Sequence, residues 1–238
     1  MSEREVIIKS DLEELSTYAV FLIQKIINNS PRQYKNIAFS GGKTPILMFE
    51  KLAKLTEINW SNVNIFIVDE RYINTNHEDS NYYQLNKHLL SKIKIPKDNI
   101  HYIKYLDNIQ KSITDYKQQI KETFNLKPGE TPKFDLIHLG IGEDGHTASL
   151  FNNQKADNKQ LITKTQNEDY ERITFNYNIL NSAENILFLA AGQRKQAVIN
   201  EILKNGKHYP AGIIDNKGKQ FFLLDKKAAG QKNMEYTK

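Results

Sequence analysis

Short apolar runs alternate with helix-period stripes from one end of the chain to the other, and this alternation constrains the fold more than any other feature. Residues 5–9 read as a strand. Asp11 is placed to cap a helix whose apolar stripe is Leu12, Leu15, Ala19, Leu22, Ile23, Ile26 and Ile27, at helical spacing. Residues 36–39 make a second strand, and residues 63–68 a third with no polar alternation, the pattern of a strand covered on both faces. Helices are expected at about 80–93 and 107–124, the latter with Ile109, Ile113, Tyr116, Ile120 and Phe124 on one side. Beyond the turn-rich stretch 127–132, strands are expected at 134–139, 172–177, 186–191, 212–215 and 220–224, with a helix over about 194–203. Such β-α alternation predicts an α/β fold in three layers, a mostly parallel central sheet with helices on both faces. No repeat or linker divides the chain, so residues 1–238 are expected to form one domain, with the polar tail fraying from about Lys226.

Composition removes several classes of function. Hydrophobic residues make up 39% and charged residues 26%, so disorder is not expected. Cysteine is absent, which excludes disulfides, thiolate chemistry, thiolate-bound zinc and iron–sulfur clusters. Residues 1–10 carry Glu3 and Glu5 and no apolar run, unlike a signal peptide, and no stretch approaches the roughly 18 apolar residues of a membrane helix. The expected setting is cytoplasmic, with no membrane partner. The net charge of +5 comes from lysines spread along the chain and largely matched by 28 acids, without basic–aromatic interleaving. No nucleic-acid partner is expected; a mild positive field suits an anionic metabolite.

In parallel α/β sheets ligands bind at the carboxyl ends of the strands. Three strand-end loops are chemically loaded. In Ser40-Gly41-Gly42-Lys43-Thr44-Pro45 the glycines permit close backbone approach, Thr44 reads as a helix N-cap and Pro45 as the first helical residue. Amides at a helix start suit an anion, although a tight turn with an ordinary cap would look the same. The Gly-Lys-Thr within it is not a nucleotide P-loop, which needs a glycine where Ile37 stands. Asp69-Glu70-Arg71 follows the apolar strand directly: either a surface turn, or an arrangement in which Arg71 faces a cleft and an acid holds it or a ligand. The Asp79-Ser80-Asn81 that follows can start the next helix, with Ser80 or Asp79 as its cap. The third loop delivers Asp144 and His146 among Gly140, Gly142 and Gly145, with Thr147 opening a helix. A carboxylate two residues away can fix the proton position of His146 and make it a general base. His138, eight residues earlier and within a strand, adds no metal-binding pattern. Arg172 and Lys195 fall near later strand ends. Singly each reads as a solvated charge; with an anion loop they suggest a phosphate clamp.

These loops, in this order, resemble the 6-phosphogluconolactonase family, within the larger group that includes the glucosamine-6-phosphate deaminases. The most specific stretch is Asp144-Gly145-His146-Thr147-Ala148-Ser149-Leu150-Phe151. It is joined by the 40–45 loop, Val68-Asp69-Glu70-Arg71, Asp79-Ser80-Asn81-Tyr82, Arg172-Ile173-Thr174, and Gly192 with Lys195. The resemblance implies a Rossmann-like sandwich and hydrolysis of a small phosphorylated sugar lactone, 6-phospho-D-glucono-1,5-lactone, with no cofactor and no metal. It implies His146 as general base assisted by Asp144. Gly41, Gly42, Lys43, Thr44, Asp69, Arg71, Arg172 and Lys195 would hold phosphate and sugar oxygens. Separately, a monomer or a weak homodimer is expected. Asn152 departs from the family's usual proline, and residues 167–171 from a proline-rich lead into Arg172. A deaminase would carry a glutamate where Phe151 stands and a tyrosine where Arg71 stands. A non-catalytic sugar-phosphate sensor would carry an added DNA-binding module, for which the α/β pattern leaves no room.

Overall fold

The computed structural model describes residues 3–152, 160–167 and 169–230. The chain begins β1 (Glu3–Lys9), α1 (Leu12–Asn29), β2 (Lys35–Phe39), α2 (Ile46–Leu52), β3 (Val63–Ile67), β4 (Asp69–Arg71) and α3 (Asn81–His88). It continues β5 (Ile100–His101), α4 (Ile109–Thr123), β6 (Leu136–Gly140), β7 (Ile162–Gln166), β8 (Glu171–Phe175) and α5 (Tyr177–Ser182). It ends β9 (Asn185–Ala190), α6 (Gln196–Asn205), α7 (Pro210–Ile213), β10 (Lys219–Asp225) and α8 (Lys226–Ala229). Seven strands form one sheet in the order β1-β10-β9-β6-β2-β3-β5, and every pairing in it is parallel. Among the described residues no helix is long and apolar enough to cross a membrane.

Strand side chains alternate between two cores, which makes the three layers. Ile37, Phe39, Ile65, Ile67, Leu187 and Leu189 face α1, α2 and α3, meeting Leu15, Ile23, Met48 and Leu85. Ala38, Phe66, Ile137, Leu139, Phe188 and Phe222 face the other way, toward Ile113, Tyr116 and Ile120 of α4 and Ile199 and Ile202 of α6. Each fully buried side chain of this size contributes ~1.5–3 kcal/mol. A smaller antiparallel sheet, β4-β8-β7, stands beside the large one. Val68 joins them: its N–H donates to Phe39 O at 3.0 Å and its carbonyl accepts from Phe175 N at 2.9 Å.

Several local expectations are corrected. Thr44 is not the cap of α2. Lys43 O first accepts from Ile46 N in a turn, so helical bonding starts with Pro45 O accepting from Phe49 N, and no side chain caps the helix. The segment after His146 is not helical; Ala148 adopts a left-handed φ of 51°, and Leu150 N closes a turn on Thr147 O. Residues 212–215 are not a strand. Pro210 starts the short α7 there, and the Gly212 backbone is pressed so closely on Gly206 that a Cβ would lie 1.9 Å from its carbonyl oxygen. Nor does the chain fray at Lys226: Asp225 caps α8 by accepting from Ala228 N at 2.7 Å, and Ala228 and Ala229 are buried. The rest of that tail, residues 231–238, lies outside the described residues, as does Glu168 in the lead to Arg172.

Candidate active site

The chain leaves β2 toward β3 on one side, whereas from β6 it crosses to β9 on the other. At such a reversal the loops after adjacent strands part and leave a crevice. A cleft of about 250 Å³ lies there, lined by the 40–45 turn, Asp69, Arg71, Gly142, His146, Arg172 and Lys195 among others. Of the candidate residues named from the sequence, His146, Gly41, Gly42, Lys43, Thr44, Asp69, Arg71, Arg172 and Lys195 line this one cleft; Asp144 stands behind His146, and Glu70 is turned away from it.

The His146 loop is held by its own side chains and glycines. Thr147 Oγ1 donates to Gly140 O at 2.7 Å, and Gly142 N donates to His146 O at 2.7 Å. His146 Nδ1 lies 2.6 Å from Asp144 Oδ1, which also accepts from His146 N at 3.2 Å. Burial works to raise the Asp144 pKa, but the His146 charge and these hydrogen bonds carry it below its ordinary value. Gly142 is required by space: a Cβ there would sit 2.1 Å from His146 Nδ1. On its other side the imidazole meets the Phe151 ring at 5.0 Å, and the Arg172 guanidinium lies 5.9 Å from that same ring. Asn152, where the resemblance leads one to expect proline, donates from Nδ2 to Asp144 O at 2.7 Å and so braces the acid.

The cleft is also lined by cations. Antiparallel pairing of β4 with β8 sets Arg71 directly opposite Arg172. Burial lowers the Arg172 pKa, and the Arg71 charge adds to this against the pull of Asp69. Burial also lowers Lys195, opposed by Glu143 and Asp144. Asp69, itself buried, accepts from Ser149 Oγ at 2.6 Å. Glu70 does not hold the Arg71 guanidinium. Its carboxylate turns inward and accepts from the backbone N–H groups of Arg71, Asn81 and Tyr82 and from Ser80 Oγ, at 2.7–2.9 Å, with Ser80 as the cap of α3. Burial still pushes Glu70 up to about 7.

Among the described residues, Ser40 Oγ, Arg71 Nε, Arg172 Nε and both ring nitrogens of His138 are buried at the cleft without a hydrogen-bond partner; Ser16, Trp60, Thr165 and Asn216 supply such atoms elsewhere. Unpaired buried polar groups are costly, so their concentration here marks a surface made for a polar, anionic ligand. Among the described residues no group of three or more His, Asp or Glu side chains is disposed to hold a metal.

Comparison with known proteins agrees with this geometry. The family described as glucosamine-6-phosphate isomerases/6-phosphogluconolactonase matches over residues 10–223. The chain belongs to that family. Among curated members of the glucosamine-6-phosphate isomerase/6-phosphogluconolactonase family, a 6-phosphogluconolactonase of Synechocystis is 37% identical over 199 residues, covering 81% of this chain and 82% of that one. One from Nostoc is 35% identical over 201 residues, covering 82% and 83%. The crystal structure of 6-phosphogluconolactonase from Thermotoga maritima superposes with a TM-score of 0.85 at 28% identity, covering 94% of this chain and all of that one.

Three contributors to the site escaped the sequence reading. In the sequence Asn81 reads only as part of a motif and His138 only as a histidine without a metal-binding pattern, and nothing marks Ser149 as the partner of Asp69. Their contacts are to residues far away in sequence, and no local spacing signals them.

Proposed function

We propose that this chain hydrolyses 6-phospho-D-glucono-1,5-lactone to 6-phosphogluconate. The observation that carries the reading is the His146–Asp144 pair at the edge of a cleft that Arg71, Arg172, Lys43 and Lys195 also line. The names of the family members support it. With Nδ1–H donated to Asp144, the Nε2 lone pair of His146 is left to take a proton from water as it attacks C1. The new C–O bond gives a tetrahedral oxyanion. Its collapse breaks the bond from C1 to the ring oxygen, and the imidazolium returns its proton to that oxygen. A lactone is already an activated ester, so a base contributing ~10²–10⁴-fold plus positioning suffices without a covalent nucleophile. In this reading Arg71, Arg172, Lys43, Lys195 and the amides of Gly41, Gly42 and Thr44 hold phosphate, and Asp69 accepts from a sugar hydroxyl. Phe151, packed between His146 and Arg172, leaves no acid where the deaminase reaction needs one. The reading includes a monomer in the cytoplasm: every proposed group comes from one chain, and the lack of cysteine suits that compartment.

The test is to generate the lactone with glucose-6-phosphate dehydrogenase and follow its disappearance at mildly acidic pH, where spontaneous opening is slow. No acceleration over the uncatalysed rate rejects the lactonase reading. Ammonia release from glucosamine 6-phosphate would put the deaminase in its place.

A further inference from the structure

We propose that Asn81 is a positioning residue that locks Arg71 to the 40–45 turn, so that guanidinium and turn amides address one phosphate. The proposal rests on the phosphosugar reading only for the identity of the anion. Asn81 is buried, at 5% exposure, and its amide touches three separate pieces of the site. Nδ2 donates to Asp69 O at 2.6 Å, which ties α3 to β4. Oδ1 accepts from Arg71 Nη1 at 3.2 Å. The same oxygen fills the space beside Gly41, where a Cβ would lie only 2.1 Å from it. Gly41 is not in a left-handed conformation, so what demands glycine there is the Asn81 amide and not the backbone.

The chemistry of the guanidinium gives this contact its consequence. Asp79 O and Asn81 Oδ1 both take Nη1, at 2.6 and 3.2 Å. The side-on edge of Nε and Nη2 is left for the ligand, and Nε is buried without a partner among the described residues. That edge is the one that grips a phosphate with two parallel hydrogen bonds. Asn81 is itself held by the Glu70 carboxylate, which accepts from Asn81 N at 2.7 Å and from Arg71 N at 2.9 Å. The amide therefore cannot drift relative to the arginine it orients.

The experiment measures dissociation constants for inorganic phosphate and 6-phosphogluconate by calorimetry, with kcat, KM and Tm alongside. The proteins are wild type, Asn81→Ala, Gly41→Ala and the double variant. Losing the charge-assisted alignment should weaken both ligands about 10- to 100-fold in Asn81→Ala, with KM raised more than kcat is lowered. Gly41→Ala, whose methyl group displaces the same amide, should weaken them comparably, and the double variant should be no weaker than the poorer single one. Wild-type phosphate affinity in Asn81→Ala overturns the proposal, as do losses that simply add. Should Asn81→Ala not fold, Gly41→Ala on a different element decides alone, and wild-type phosphate affinity in it rejects the mechanism. Phosphate binding does not require turnover: a wild type that binds phosphate but leaves the lactone intact sinks the lactonase reading and not this one. A wild type that binds neither ligand sinks both.

Discussion

His146 sits in a loop with no helix behind it, so its aim depends on small contacts. The ring is set by Asp144 at 2.6 Å on one side and Phe151 on the other, with Gly142 leaving just enough room beneath. Gly142→Ala would put a methyl group 2.1 Å from Nδ1 and 2.5 Å from Asp144 Oδ1, and the movable imidazole must yield. We expect kcat of this variant to fall toward that of His146→Ala, ~10²–10⁴-fold below wild type, with 6-phosphogluconate affinity within a few-fold of it. Stopped assays beside calorimetry check this; undiminished kcat would show that the pair is not used. The two residues were legible in the sequence because carboxylate and imidazole lie two positions apart among glycines. Asn152 was legible only as a departure. Its role, bracing the Asp144 carbonyl, depends on how the intervening chain folds back, which no spacing rule encodes.

At the scale of elements, β4 is three residues long yet decides the cationic lining. Its register with β8 sets Arg71 against Arg172, and like charges directly opposite each other on adjacent strands destabilise the pairing. An anion bound between them relieves that cost. We expect Arg172→Leu, which keeps apolar contact with Phe151, to raise the ligand-free Tm by a few degrees and to lose most of the stabilisation that phosphate confers on the wild type. Thermal scans with and without phosphate decide it: a lowered Tm with an undiminished phosphate response contradicts the account. Long elements are readable because burial repeats at helical spacing along α1 and α4 and runs almost unbroken along β9 and β10. The short strands β4 and β7 are not, since each is defined by partners elsewhere in the chain. Thr147 and Gly212 were misread for a related reason. Local residue preference was overruled by hydrogen bonds from Thr147 Oγ1 to Gly140 and from Ser149 Oγ to Asp69, and by the close approach of Gly206 to Gly212.

For the molecule as a whole, the parallel sheet buries the imidazole of His138 and half-buries that of His101, and this sets its tolerance of acid. Burial holds His138 down to about 3 and His101 down to about 4, from an ordinary value of 6.5. Above pH 6.5 both are neutral whether folded or unfolded, and the full stability is present. As pH falls below 6.5 the unfolded chain binds protons that the folded chain refuses, so stability is lost. Glu70 works in the opposite sense: raised to about 7, its folded carboxyl takes a proton that the unfolded one accepts only near 4.5, so falling pH adds stability across that interval. Two imidazoles against one carboxyl leave a net loss of stability as pH falls from 7 to 4.5. Asp144 and Glu184, whose pKa values are lowered by their partners, begin to contribute only below their ordinary values of 3.8 and 4.5, so this window is left to the two histidines and Glu70. The imidazole of His138 lies against Phe39 and Phe49, so leucine at this position keeps the apolar packing and removes the titrating group. We therefore expect Tm to fall between pH 7 and 4.5 in the wild type and to stay nearly level in His138→Leu. An equal acid loss in the two proteins would mean that His138 takes up its proton without unfolding the sheet around it.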